Sequence, residues 1–173
     1  MRGILRLAGL WAALALAPAL GADFSGVVTR VTDGDTLWVR PAAGGRPREV
    51  RLQGLDAPEI CQAHGPRARA ALAARLQGRR VQVRIRARDD YGRWLSRVAT
   101  PDDPDVGAWM VVQGHAWSYR FRDSRGPYAA LEDRARQARR GLWAQAAPLE
   151  PREFRRRHGS CGGAGQPGTR PNR

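Results

Sequence analysis

RLQGLDAPE, residues 51–59, begins as a strand and ends as a cluster of charge. Val50 and Leu52 alternate with Arg51 and Gln53. The pattern predicts a third strand over 49–55, with the apolar pair inward and Arg51 on the opposite face. Pro58 then pushes Ala57 into extended backbone and removes one donor. That stop can hold Asp56 and Glu59 toward a common space, with the Ala57 carbonyl between them. Carboxylates and a carbonyl are hard oxygen donors of the kind that Ca²⁺ or Mg²⁺ takes. Asp35, just past the Asp33-Gly34 turn, offers a third carboxylate. Singly, each acid also suits a turn or a cap. Together, beside Arg51, they repel one another unless a cation compensates.

Upstream, residues 23–32 alternate enough for a first strand with Val27 and Val31 inward. Asp33-Gly34 marks a hairpin turn into a second strand, DTLWVR, with Leu37 and Val39 on one face. Downstream, residues 66–77 carry alanine and leucine at helical spacing, closed by Gly78. Residues 80–88 alternate strictly, with Val81, Val83 and Ile85 inward, as a fourth strand, and a turn at 89–92 leads into a fifth over 93–100. A short helix over 105–113 carries Trp109, Met110 and Val112. A longer one over 127–140 stops at Gly141, after which Leu142-Trp143 packs back. Five short strands with interposed and trailing helices fit a small barrel, an α+β fold that is mainly β. Trp94, Trp109, Trp117 and Trp143 read as packing residues.

All 30 basic residues are arginine, and the formal charge is +14. That balance favours a polyanionic partner, nucleic acid before an anionic membrane or cell wall. It also makes any lone arginine weak evidence, so only neighbours make one informative. Residues 1–22 have the form of a signal peptide: Arg2 and Arg6, an apolar run from Leu7 to Leu20, then small residues. Its removal leaves +12 and an exported protein, periplasmic or secreted; a retained anchor is the other reading. Cys61 and Cys161 are the only cysteines. In an exported chain they read as a disulfide that ties the C-terminal segment beside Glu59. From His158 onward the chain is glycine-rich and basic, with Cys161 alone to hold it.

DGDT at 33–36, RLQGLDAPE at 51–59 and DDYGR at 89–93 occur in order, and GPYAALEDRARQARRGLW follows. Together they resemble the staphylococcal nuclease (thermonuclease) family from about Val27 to Trp143. The resemblance implies an OB-fold barrel of five strands with about three helices, over residues 23–147, followed by a basic extension over 148–173. It implies a Ca²⁺-dependent phosphodiesterase acting on DNA and RNA as a monomer without a stable protein partner. By the same resemblance, Asp35 and Asp56 are carboxylate ligands of Ca²⁺ and the Ala57 carbonyl a backbone ligand, although the family's threonine is absent at Ala57. Glu59 positions or deprotonates the attacking water. Arg51 and Arg93 grip the scissile phosphate, Asp33 stands behind the ligands, and Tyr91 lines the nucleotide site. Tyr119 and Phe121 lie near the place of further aromatics but out of step.

The chemistry holds together on physical grounds. A phosphodiester repels hydroxide, so the site needs positive charge around phosphorus, and its value grows as charge builds on the equatorial oxygens. Arginine, with a pKa above ~12, clamps well but gives up a proton poorly. The competing class is a non-catalytic OB-fold module that binds nucleic acid by charge and stacking. Such a module has no reason to hold three acids in a basic groove. A histidine-dependent nuclease would need a histidine beside the acids, and His64 is the one near candidate; His115 and His158 are scattered.

Overall fold

The computed structural model describes residues 22–161. The expected signal peptide, Ala22 apart, and the tail beyond Cys161 lie outside the described residues. Five strands form a closed barrel: β1 (Phe24–Val31), β2 (Thr36–Pro41), β3 (Arg48–Leu52), β5 (Arg80–Arg88) and β6 (Trp94–Ala99). Their order is β1-β2-β3-β6-β5, with the β3–β6 pair parallel and every other pair antiparallel. This is the OB arrangement. Helix α1 (Gly65–Leu76) joins β3 to β5 across the barrel's end, while α2 (Val106–Val112) and α3 (Ala129–Gln137) follow β6.

Alternation fixes the barrel interior. Leu37, Val39, Val50, Leu52, Val81 and Val83 are all buried, as the period of two requires. In β1 the expectation fails at one residue. Val27 faces outward at 38% exposure, whereas Val28 and Val31 are buried. The register slips between Val28 and Arg30, so a bulge adds a residue and lets two valines three apart share one face. Helix α1 closes the barrel with Ala68, Leu72 and Leu76, four residues apart on one stripe. Beyond α2, whose inward residues include Met110 and Val111 rather than Val112, a second cluster gathers Trp117, Ala135, Leu142 and Trp143.

The expected continuous third strand over 49–55 is two strands. Gly54 turns the chain at φ +83°, where a side chain would press against Pro127 and Tyr128. Leu55–Asp56 (β4) then pairs with Trp117–Ser118 (β7) outside the barrel. The break turns the backbone, so Leu55 and Asp56 are both buried in succession instead of alternating.

The basic extension holds a fourth helix that the sequence reading does not anticipate, α4 (Pro151–His158). Pro151 sits in its first turn and Gly159, at φ +77°, ends it. The extension is docked on the barrel: Gln62 Nε2 donates to the Leu149 carbonyl at 2.5 Å, and Cys61 is disulfide-bonded to Cys161 with Cα atoms 5.8 Å apart. Among the described residues no helix is long and apolar enough to cross a membrane.

Candidate active site

The hairpin turn, the end of β3 and the β4 stop bring their acids together. Asp33 Oδ1 accepts from the Asp35 amide at 3.1 Å and so shapes the turn. Asp35, buried, uses both oxygens: Oδ1 accepts from Thr36 Oγ1 (2.9 Å) and Arg51 Nη1 (2.8 Å), and Oδ2 from the Ala57 amide (3.2 Å). Burial, and then the charge of Asp35, push the Asp33 carboxyl up to about 7. Arg51 extends from β3 on the face opposite Val50 and Leu52, and its fork spans Asp35 and Asp56, the latter at 3.0 Å. Burial opposes the Arg51 charge, yet Asp35 and Asp56 outweigh it and hold the guanidinium above its ordinary value. Burial raises the Asp56 carboxyl, against the hydrogen bond from Arg155.

Arg93 reaches the same space from the turn before β6. Asp89 fixes it by accepting from the Arg93 backbone amide (2.9 Å) and from Nε (2.7 Å). Burial works to raise the Asp89 carboxyl, and the hydrogen bonds from Arg93 overcome it and leave the pKa lowered. Both Nη groups of Arg93 lack protein partners among the described residues. The fork therefore faces the cavity with its donors to spare.

A cavity of about 810 Å³ takes in Asp33, Asp35, Arg51, Ala57, Glu59 and Arg93. Asp56, buried, does not line the cavity and is held by Arg51 and Arg155. Three exposed aromatics also line the cavity: Tyr91, Tyr119 and Phe121. Tyr119 and Phe121, which the sequence leaves out of step, come here because the Tyr119 amide donates to the Gly54 carbonyl at 2.9 Å. Buried Glu132 of α3 accepts from the Ser118 amide at 2.8 Å and fixes the strand before them. His64 is elsewhere. Its Nε2 lies 3.2 Å from His115 Nδ1, and neither ring lines the cavity.

One cavity residue escapes the sequence reading entirely. Arg155 of α4 donates from Nη2 to Asp56 Oδ2 (2.8 Å) and from Nη1 to Glu59 Oε1 (2.8 Å) and Asp56 Oδ1 (3.2 Å). Its signal in the sequence is indirect: Pro151 and Gly159 bracket a helix, and Glu153 and Arg157 pair four residues apart within it.

Comparison with known proteins identifies the family. A family model described as staphylococcal nuclease homologue matches residues 49–145. A protein named ParB from Escherichia coli is 41% identical over 163 residues, which cover 88% of this chain and 91% of that protein. An uncharacterized endonuclease of Escherichia coli O157:H7 is 38% identical over 140 residues, 81% of this chain and 90% of its own length. A micrococcal nuclease of Shigella flexneri is 38% identical over 145 residues, 78% and 82% of the two chains. Such identity, sustained over nearly the whole length of these relatives and joined to an OB barrel, places the chain in the staphylococcal nuclease family.

Proposed function

We propose that the protein is an exported, Ca²⁺-dependent nuclease that hydrolyses phosphodiester bonds in DNA and RNA with low sequence specificity. The observation that carries this reading is the convergence of the free Arg93 fork, Arg51 and Glu59 on one cavity flanked by exposed aromatic faces. The relatives named endonuclease and micrococcal nuclease support it.

The donor set suits a hard cation. Asp35 and Asp56 are buried carboxylates bridged by the Arg51 guanidinium, and Asp33 is crowded against Asp35. Among the described residues no three acidic, histidine or cysteine side chains are arranged so that they could hold a metal ion together. Arg51 and Arg155 supply the compensating charge in this arrangement. Asp35, Asp56 and the Ala57 carbonyl are the residues that would hold Ca²⁺. Bound there, the ion supplies positive charge to the phosphate oxygens.

The chain's own groups do the rest. Arg51 spends two of its five donors on Asp35 and Asp56 and keeps the others for phosphate. Arg93 offers its Nη pair, which matches two phosphate oxygens at once. Glu59 orients the attacking water or takes its proton. Tyr91, Tyr119 and Phe121 present flat faces to unstacked bases, which is sequence-tolerant. The disulfide and the leader-like residues 1–22 support export.

Digestion of plasmid DNA and of RNA with Ca²⁺, Mg²⁺ and chelator in parallel tests the proposal. Cleavage of both polymers in Ca²⁺ and none in EGTA is expected. Full cleavage in EDTA removes the metal. Tight binding without cleavage in any metal leaves a non-catalytic OB module instead.

A further inference from the structure

Arg155 brings a further positive charge to the site and sets it directly on the acids. Its guanidinium covers both oxygens of Asp56 and one of Glu59, and its side chain is 30% exposed. Three carboxylates, Asp35, Asp56 and Glu59, are thus met by two guanidiniums, Arg51 and Arg155. Arg51 belongs to the barrel. Arg155 comes from α4, which is fastened at both ends: upstream by Gln62 to Leu149 and by Arg120 to Glu150, downstream by the disulfide. Cys61 lies two residues after Glu59 and Cys161 six residues after Arg155, so the link keeps the guanidinium close to the acids whenever it lets go.

We propose that α4 is an autoinhibitory strap that holds Arg155 on Asp56 and Glu59 as an internal counter-cation, which a divalent cation must displace before Glu59 is free to act on water. The proposal rests on the calcium reading above. Two cations cannot share buried Asp56 without repelling each other, so Arg155 lowers metal affinity, and metal in turn loosens the strap. The device keeps the enzyme quiet at low Ca²⁺ and sets the concentration at which it turns on. Charge elsewhere on the helix does not share the role. Arg156 points to solvent and pairs with Glu153.

Isothermal titration of Ca²⁺ into the parent and into Arg155→Ala, Arg155→Gln and Arg156→Ala, all with the disulfide intact, tests the strap. Arg155→Gln keeps a donor for Asp56 and guards against misfolding of the alanine variant. Both Arg155 variants are expected to bind Ca²⁺ about tenfold more tightly or better, the size of an ordinary coupling between sites. Arg156→Ala, screened by solvent, should stay within about twofold of the parent. Unchanged or weaker binding in the Arg155 variants overturns the proposal, and so does equal tightening in Arg156→Ala. Equal Ca²⁺ binding by all four proteins removes the strap but leaves the calcium reading. No Ca²⁺ binding by any of them, with cleavage unaffected by chelator, removes both.

Discussion

Arg51 Nη1 lies 2.8 Å from Asp35 Oδ1, and its second Nη spans to Asp56, so one guanidinium joins two buried acids from separate segments. Arg93 is fixed, among the described residues, by one acid, Asp89. The two arginines therefore differ in what they do for the fold. Arg51→Lys and Arg93→Lys should each lower single-turnover cleavage by ~10²-fold or more, since Arg93 loses its fork and Arg51 the guanidinium donors left over for phosphate. Only Arg51→Lys should also unfold more easily, by roughly 1–3 kcal/mol, because a single ammonium cannot satisfy both carboxylates. Arg93→Lys should stay within roughly 0.5 kcal/mol of the parent. Urea unfolding beside the kinetics checks the contrast, and equal stability of the two variants refutes it.

Glu59 separates enzyme from binder. Glu59→Gln keeps the side chain's size and removes one negative charge near the phosphate. Affinity for nucleic acid should persist or rise slightly, while cleavage falls by about 10²-fold or more, the usual loss of a positioned acid–base group. Binding should weaken steeply with salt, because arginine–phosphate contacts release counterions. Equal cleavage by parent and variant would move the active site away from this cavity.

The disulfide should matter more to the extension than its position near the chain's end suggests. It spans 100 residues, a loop for which chain entropy predicts about 4–5 kcal/mol of stabilisation. Reduction should lower the melting temperature clearly. Mass spectrometry of the unreduced protein should show one linked pair, Cys61 with Cys161. Two alkylatable thiols in protein from an oxidising compartment would contradict the pairing.

Acid should weaken the fold through the pair of histidines. Burial first, then the charges of His115 and Arg67, push His64 below its ordinary value of 6.5 to about 4, and burial lowers His115 as well. The unfolded chain thus binds these protons more readily than the folded one. Stability from this pair is full above about 6.5, falls as pH drops toward about 4, and levels off below. Urea midpoints of the parent and of His64→Gln, compared from pH 7 to pH 4, report it. A parent–variant difference that does not change over that range would exclude the account.

The motif residues were legible because each sits in a local pattern. Asp33 and Asp35 flank a turn glycine, Arg51 alternates with Val50 and Leu52, and Asp89 precedes the arginine it fixes. Alternation likewise located the barrel strands. What it could not show was a change of period. The bulge after Val28 exchanges Val27 for Val28, and Gly54, at φ +83° where Pro127 and Tyr128 leave no room for a side chain, cuts one strand into two. Helix α4 was illegible for another reason. Pro151 is its one buried residue, so no apolar stripe betrays it, and Arg155 is one arginine among 30.

Closure of the barrel through the β1–β5 ladder has a colloidal consequence. An open sheet ends in rows of free amides and carbonyls on which other chains can add strands. The β1–β5 ladder pairs Phe24–Val27 with Arg80–Val83 and so covers both strands that would otherwise be edges over that stretch, and the β4–β7 pair outside the barrel is two residues long on each side. The molecules also repel one another through a net charge of +14 over the full chain. Among the described residues, barrel closure thus leaves little strand edge for another chain to extend, and like charge opposes the approach of a second copy.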